Sequence, residues 1–120
     1  MKDATTTVAE LREQMRVFVA EREWQPYHDP KNLSMAIAVE AAELMEHFQW
    51  LRSEELSTAA TDDERRSEVT DEIADVMCFL LSMANALNLD LSAAVEQKLV
   101  KNRQKYPVEK FRGRYHKPRG

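Results

Sequence analysis

The chain has 120 residues, 43% of them hydrophobic and 32% charged, with a net charge of −4 and a single cysteine. That is the size of one domain with a real core, and the composition excludes a disulfide scaffold, a disordered acidic chain and a membrane-spanning bundle. No apolar run reaches membrane-span length and MKDATTTVAE has no signal-peptide pattern, so the expectation is an entire soluble domain in a reducing cytoplasm, with no membrane partner.

Only two glycines, both within the last eight residues, and long stretches of Ala, Glu, Leu, Met and Gln predict an all-α body; no segment alternates like a strand. The first helix starts at the capping box Thr7-x-x-Glu10, puts Val8, Leu11, Met15, Phe18 and Val19 on one face, and fades between Trp24 and Pro26. Asp29-Pro30 supplies an N-cap followed by proline at N1 for a second helix running to about Trp50. Ser53 to Leu56 reads as a turn and STAATDDE as a loop. A third helix opens at Thr61-x-x-Glu64 and continues through Asn88, with Val69, Ile73, Val76, Leu80 and Leu87 as its apolar stripe. Asp90 or Ser92 caps a fourth, which ends before Pro107 because the residue ahead of a proline disfavours helical geometry. From Val108 onward the chain reads as extended. The prediction is a four-helix bundle over residues 1–107 and a basic tail over 108–120, with enough apolar surface to need a partner subunit.

Charge is unevenly spread: residues 1–97 carry 8 Lys and Arg against 20 Asp and Glu, whereas residues 98–120 carry 9 basic residues against Glu109 alone. An anion-binding end and an acidic body folded against its own basic tail both fit. A nucleic-acid polymer would ask for an overall basic domain, so none is expected as a partner. Cys78, among Val76, Met77, Phe79 and Leu80, reads as core packing rather than as a nucleophile.

Two carboxylate pairs sit inside apolar helical sequence: Glu40-x-x-Glu43 in MAIAVEAAELM and Glu72-x-x-Asp75 in VTDEIADVMCFLL. Residues three apart share a helix face, and an unpaired carboxylate on a half-buried face is costly. If the second and third helices pack side by side, the four groups converge, and hard oxygen ligands suit Mg²⁺ or Mn²⁺ together with substrate phosphates. Zinc fits poorly without a Cys/His cluster, and a di-iron site would want Glu-x-x-His on two helices. Spacing alone leaves metal binding and ion-paired structural acids equally open.

With FVAEREW, HDPKNL, EAAELMEHFQW, DEIADVMCFLL and KLVKNRQKYPV in view, the chain resembles the MazG-like, all-α nucleoside triphosphate pyrophosphohydrolases, and within them the dCTP pyrophosphatase type. The likeness runs from about Phe18 to Pro107. It implies a Mg²⁺-dependent cut between the α and β phosphates, giving nucleoside monophosphate and pyrophosphate, in a homodimer or homotetramer. By that resemblance Glu40, Glu43, Glu72 and Asp75 are the metal ligands and Lys98 and Asn102 the phosphate-side pair. Glu43 is the candidate for accepting the proton of the attacking water, and Glu72 and Lys98 complete the catalytic set. Lys98, Asn102 and Tyr106 recur every four residues, and Arg103 is a further cation; a solvated basic helix end is the plainer reading.

For the base, Trp24, Trp50 and Phe79 are the aromatic candidates, Trp50 because it lies seven residues beyond Glu43. Both tryptophans also read as packing anchors. His28 and Asn32 flank the second helix's start, where hydrogen bonds to a base or capping roles are both available. Two other functions stay open: a non-catalytic helical bundle that oligomerises or binds a basic partner, and the same fold acting on another nucleotide such as phosphoribosyl-ATP.

Overall fold

The computed structural model describes residues 1–114, apart from the side chains of residues 58–61. It is all-α, with no strand among the described residues. The α-helices are α1 (Val8–Glu21), α2 (Pro30–Glu46), α3 (Ser53–Thr61), α4 (Asp63–Leu87), α5 (Leu91–Lys105) and α6 (Val108–Phe111), with a 3₁₀ turn at Gln25–Tyr27. The chain divides into two compact units, Met1–Asn88 and Leu89–Gly120. No single helix among the described residues is long and apolar enough to cross a membrane.

In the first unit, α4 is the central rod, packing against α2, α1 and α3. Thr7 caps α1 by accepting a hydrogen bond from the Glu10 N–H, and Asp29 caps α2 by accepting from Asn32, with Pro30 at the first helical position. Helix α1 ends in a Schellman motif: the Trp24 N–H reaches the Val19 carbonyl and the Glu23 N–H the Ala20 carbonyl. Glu23 occupies the left-handed position, at φ +53°. The following residue, Trp24, lays its ring edge-on against Phe18 at 5.9 Å, the apolar clasp that accompanies this motif.

Arg12 ties α1 to α4. Its guanidinium donates to Asn85 Oδ1 at 3.0 Å and to the Ala84 carbonyl at 3.2 Å, and Asn85 Nδ2 donates back to the Arg12 carbonyl at 3.0 Å. The buried residues of this unit include Val19, Leu33, Leu81, Ser82 and Ala84.

Several boundaries differ from expectation. Helix α2 stops at Glu46 rather than near Trp50, because the chain tightens into i→i−3 bonds, His47 to Leu44 and Phe48 to Met45. Arg65 of α4 then holds the His47 carbonyl at 3.1 Å. The segment expected as turn and loop is helix α3: Glu54 and Glu55 lie in its first turn, where the helix dipole favours acids, and Ala59 and Ala60 are good helix formers. The cap of α4 is Asp62, not Thr61; its carboxylate accepts from the Glu64 N–H at 3.2 Å, and the same residue ends α3. Helix α4 closes on Asn88 in the left-handed conformation that asparagine tolerates at a helix end.

In the second unit, Asp90, the first of the two expected caps, starts α5 by accepting from the Ala93 N–H. Beyond Pro107 the chain is not extended at once: Val108–Phe111 forms one helical turn, with Glu109 at its start. The remainder of the expected tail, residues 115–120, lies outside the described residues.

The expected apolar stripe of α4 is only partly covered. Val69 and Val76 are half-buried, but Ile73, Leu80 and Leu87 stay exposed, while Leu81, Ser82 and Ala84 face inward. On α2, Met35 and Val39 are likewise exposed.

Candidate metal centre

Packing of α2 against α4 brings Glu40, Glu43 and Glu72 together, with one carboxylate oxygen from each lying within 4.8 Å of the others. Glu40 and Glu72 are half-buried and Glu43 is exposed at the edge. Glu40 Oε2 and Glu72 Oε2 are buried without any hydrogen-bond partner. Two orphaned, electron-rich oxygens facing one another are unfavourable unless a proton or a cation joins them. Glu40 is pushed above the ordinary carboxylate range, first by the Glu72 carboxyl beside it, then by burial and by the charges of Glu72 and Asp75, with Glu43 acting in the opposite sense. Three carboxylates meeting, two of them with unsatisfied oxygens, are a donor set that fits a hard divalent cation.

Asp75, the fourth expected ligand, is exposed and outside the 4.8 Å group, although its charge is felt at Glu40 and at Cys78. Burial, with Asp75 adding to it, pushes the Cys78 thiol above its usual value, which keeps it a thiol and agrees with a packing role.

The aromatic candidates separate. Trp24 stacks on His28 at 6.2 Å, and His28 in turn lies 6.4 Å from the Phe79 ring. Trp50 is 84% exposed and sits beyond the end of α2, so the two-turn register with Glu43 does not exist. The Asn32 side-chain amide is used at the helix entry, donating to the Tyr27 carbonyl and to Asp29. His28 does line a cavity of about 270 Å³, with Met15, Val19, Gln25, Ser82 and Asn85 among its other walls. Sequence reading missed Ser82 and Asn85. Their signal is two polar residues in the otherwise apolar LLSMANAL of α4.

In the second unit, Lys98, Asn102 and Arg103 lie on α5 and Tyr106 is its C-cap. The Tyr106 ring packs edge-on against Phe111 at 5.1 Å and lies 5.4 Å from the Lys105 ammonium, which ties its ring to packing within this unit.

The MazG-like family profile matches residues 35–117, and the chain belongs to that family. It is 37% identical over 107 residues to dCTP pyrophosphatase 1 of Rattus norvegicus, and 34% identical over 102 residues to that of Homo sapiens. These matches cover 89% and 85% of this chain but 63% and 60% of the relatives, so the chain spans under two thirds of their length. Among solved structures it is similar to a pyrophosphatase from Archaeoglobus fulgidus, with a TM-score of 0.78 and 39% identity over 89% of this chain and 98% of that one.

Proposed function

We propose that this chain is a Mg²⁺-dependent nucleoside triphosphate pyrophosphohydrolase that cuts a deoxynucleotide, dCTP or a related or modified pyrimidine, between its α and β phosphates. The observation that carries the reading is the pair of buried, unpartnered oxygens of Glu40 and Glu72 within one three-carboxylate cluster. The relatives' names, dCTP pyrophosphatase and pyrophosphatase, supply the substrate and reaction class. Mn²⁺ also suits these ligands.

Glu40, Glu43 and Glu72 would hold the cation, with Asp75 completing the set that the family resemblance implies. A divalent ion bound there supplies charge neutralisation at phosphate oxygens. Glu43, exposed at the rim, would accept the proton of the water whose oxygen bonds to phosphorus as the α–β bridge breaks and pyrophosphate leaves. Lys98 and Asn102, one turn apart on α5, and Arg103 take the phosphate-side role by the same resemblance. The exposed stripes of Met35 and Val39 on α2 and Ile73, Met77 and Leu80 on α4 support a homo-oligomer, since covering them with a second copy removes apolar surface from water.

The decisive experiment is a screen for pyrophosphate release from common and modified (d)NTPs with Mg²⁺, run beside Glu72→Ala. Nucleoside monophosphate and pyrophosphate from the wild type, with loss of turnover in the variant, is the expected result. Orthophosphate as product, or an unaffected variant, overturns the assignment.

A further inference from the structure

The last carbonyls of a helix need partners from outside its own ladder, and α2 finds one of them on α4. The His47 carbonyl would ordinarily accept from the Leu51 N–H, but that N–H donates to the Phe48 carbonyl at 3.0 Å. The Arg65 guanidinium takes its place, donating from Nη1 at 3.1 Å in a part-buried setting. Beside this bond, Glu68 Oε2 lies 3.8 Å from His47 Nδ1. Arg65 is in the first turn of α4, at the positive end of its own dipole, where acids such as Asp63 and Glu64 are favoured. Its charge is well placed only towards α2, whose negative end it reaches.

This clasp shares its two faces with the carboxylate cluster. On α2 and its cap, Glu40, Glu43 and His47 stand at i, i+3 and i+7; on α4, Arg65, Glu68 and Glu72 repeat the same spacing. Glu40 pairs with Glu72 and His47 with Glu68, so the two stripes face each other in opposite directions. Glu43 falls between the pairs, about 6 Å along the helix from the residue whose carbonyl Arg65 holds. Glu40 and Glu72 are half-buried, whereas Glu43 is exposed. The position of Glu43 therefore depends on where the end of α2 lies, and helix ends open at low cost unless they are tied down.

We propose that Arg65 is a positioning residue for the cation site: by holding the His47 carbonyl it fixes the end of α2 on α4 and keeps the Glu43 carboxylate within reach of an ion bound by Glu40 and Glu72. The proposal rests on the reading of the cluster as a divalent-cation site, and it adds the group that sets the third ligand. Partners that orient a ligand without touching the metal change metal affinity by roughly tenfold or more when removed.

Titration of metal-stripped protein with Mn²⁺, the free ion read by electron paramagnetic resonance, tests this apart from turnover. Arg65→Met keeps the length of the side chain and loses its donors, so its Mn²⁺ dissociation constant should rise roughly tenfold. Arg65→Lys, which keeps a cationic donor, should recover most of that loss. Asn85→Ala breaks the Arg12–Asn85 brace near the other end of α4 and should bind Mn²⁺ as the wild type does, which separates positioning from a general loss of stability. In a Glu43→Gln background Arg65→Met should have little further effect, because the ligand that Arg65 places is already altered. Wild-type Mn²⁺ affinity in Arg65→Met, an equal loss in Asn85→Ala, or additive effects of Glu43→Gln and Arg65→Met overturns the proposal. If the wild type releases no pyrophosphate but Arg65→Met still weakens Mn²⁺ binding, the hydrolase assignment fails and the positioning role stands. Pyrophosphate release by the wild type, with Mn²⁺ binding untouched by Arg65→Met, sinks the positioning role and leaves the hydrolase.

Discussion

A carboxyl group packed beside a second one titrates late, and Glu40 does so against Glu72. Its folded-state pKa lies above the unfolded one, so its contribution to stability is complete below the ordinary carboxylate value and is lost as pH rises through the raised value. In EDTA the melting temperature should therefore fall across that interval. Mg²⁺, which binds deprotonated ligands, should offset the fall, and Glu40→Gln should flatten it. Calorimetry over a pH series checks this, and a flat profile for the metal-free wild type counts against the upward shift of Glu40. For Glu43→Gln the expectation is a helical fold with most turnover lost, by roughly 10²-fold or more if it handles the proton; near-normal pyrophosphate release removes it from the chemistry. Glu23 offers a separate test. A non-glycine residue in the left-handed Schellman position is strained by roughly 1 kcal/mol, part of which glycine returns as unfolded-state entropy. Glu23→Gly should stabilise the chain by about 0.5 kcal/mol, read from urea midpoints at constant m.

At the scale of the helices, the brace joins α1 to α4 through hydrogen bonds that include two between Arg12 and Asn85. Asn85→Ala removes those two at a part-buried guanidinium, so a loss of about 2 kcal/mol is expected in chemical denaturation. A variant as stable as wild type would show the brace to be incidental. Much of this level was legible beforehand. Thr7, Asp29 and Asp90 announce their helices because a short polar side chain satisfies an orphan N–H locally, without reference to the rest of the fold. Spacing put Glu40, Glu43 and Glu72 on helix faces that do come within 4.8 Å of one another, while leaving ion-paired structural acids equally open. What escaped was decided by neighbours. Helix α3 hides behind Ser and Thr that resemble a loop but packs on α4, and α2 unwinds early where Arg65 takes the His47 carbonyl. Trp50 was misplaced for the same reason: its register assumed helix where the chain turns. Ser82 was overlooked because one serine in an apolar helix carries no periodic signal.

For the whole molecule, the sequence's request for a partner subunit agrees with the large apolar side chains left exposed on α2 and α4. A charge placed in that stripe should dissociate the proposed assembly: Ile73→Glu is expected to lower the sedimentation mass to that of the 13.9 kDa chain while keeping helical circular dichroism. A wild type that already sediments at that mass would leave the stripe without a second copy to cover it.

Helix α4 runs unbroken for 25 residues, with Glu72 in the carboxylate cluster and Asn85 in the brace to α1 fixed at separate points along it. A continuous helix does not stretch, so it works as a ruler: the distance between the cluster shared with α2 and the brace shared with α1 is set by backbone geometry, whichever side chains stand between them.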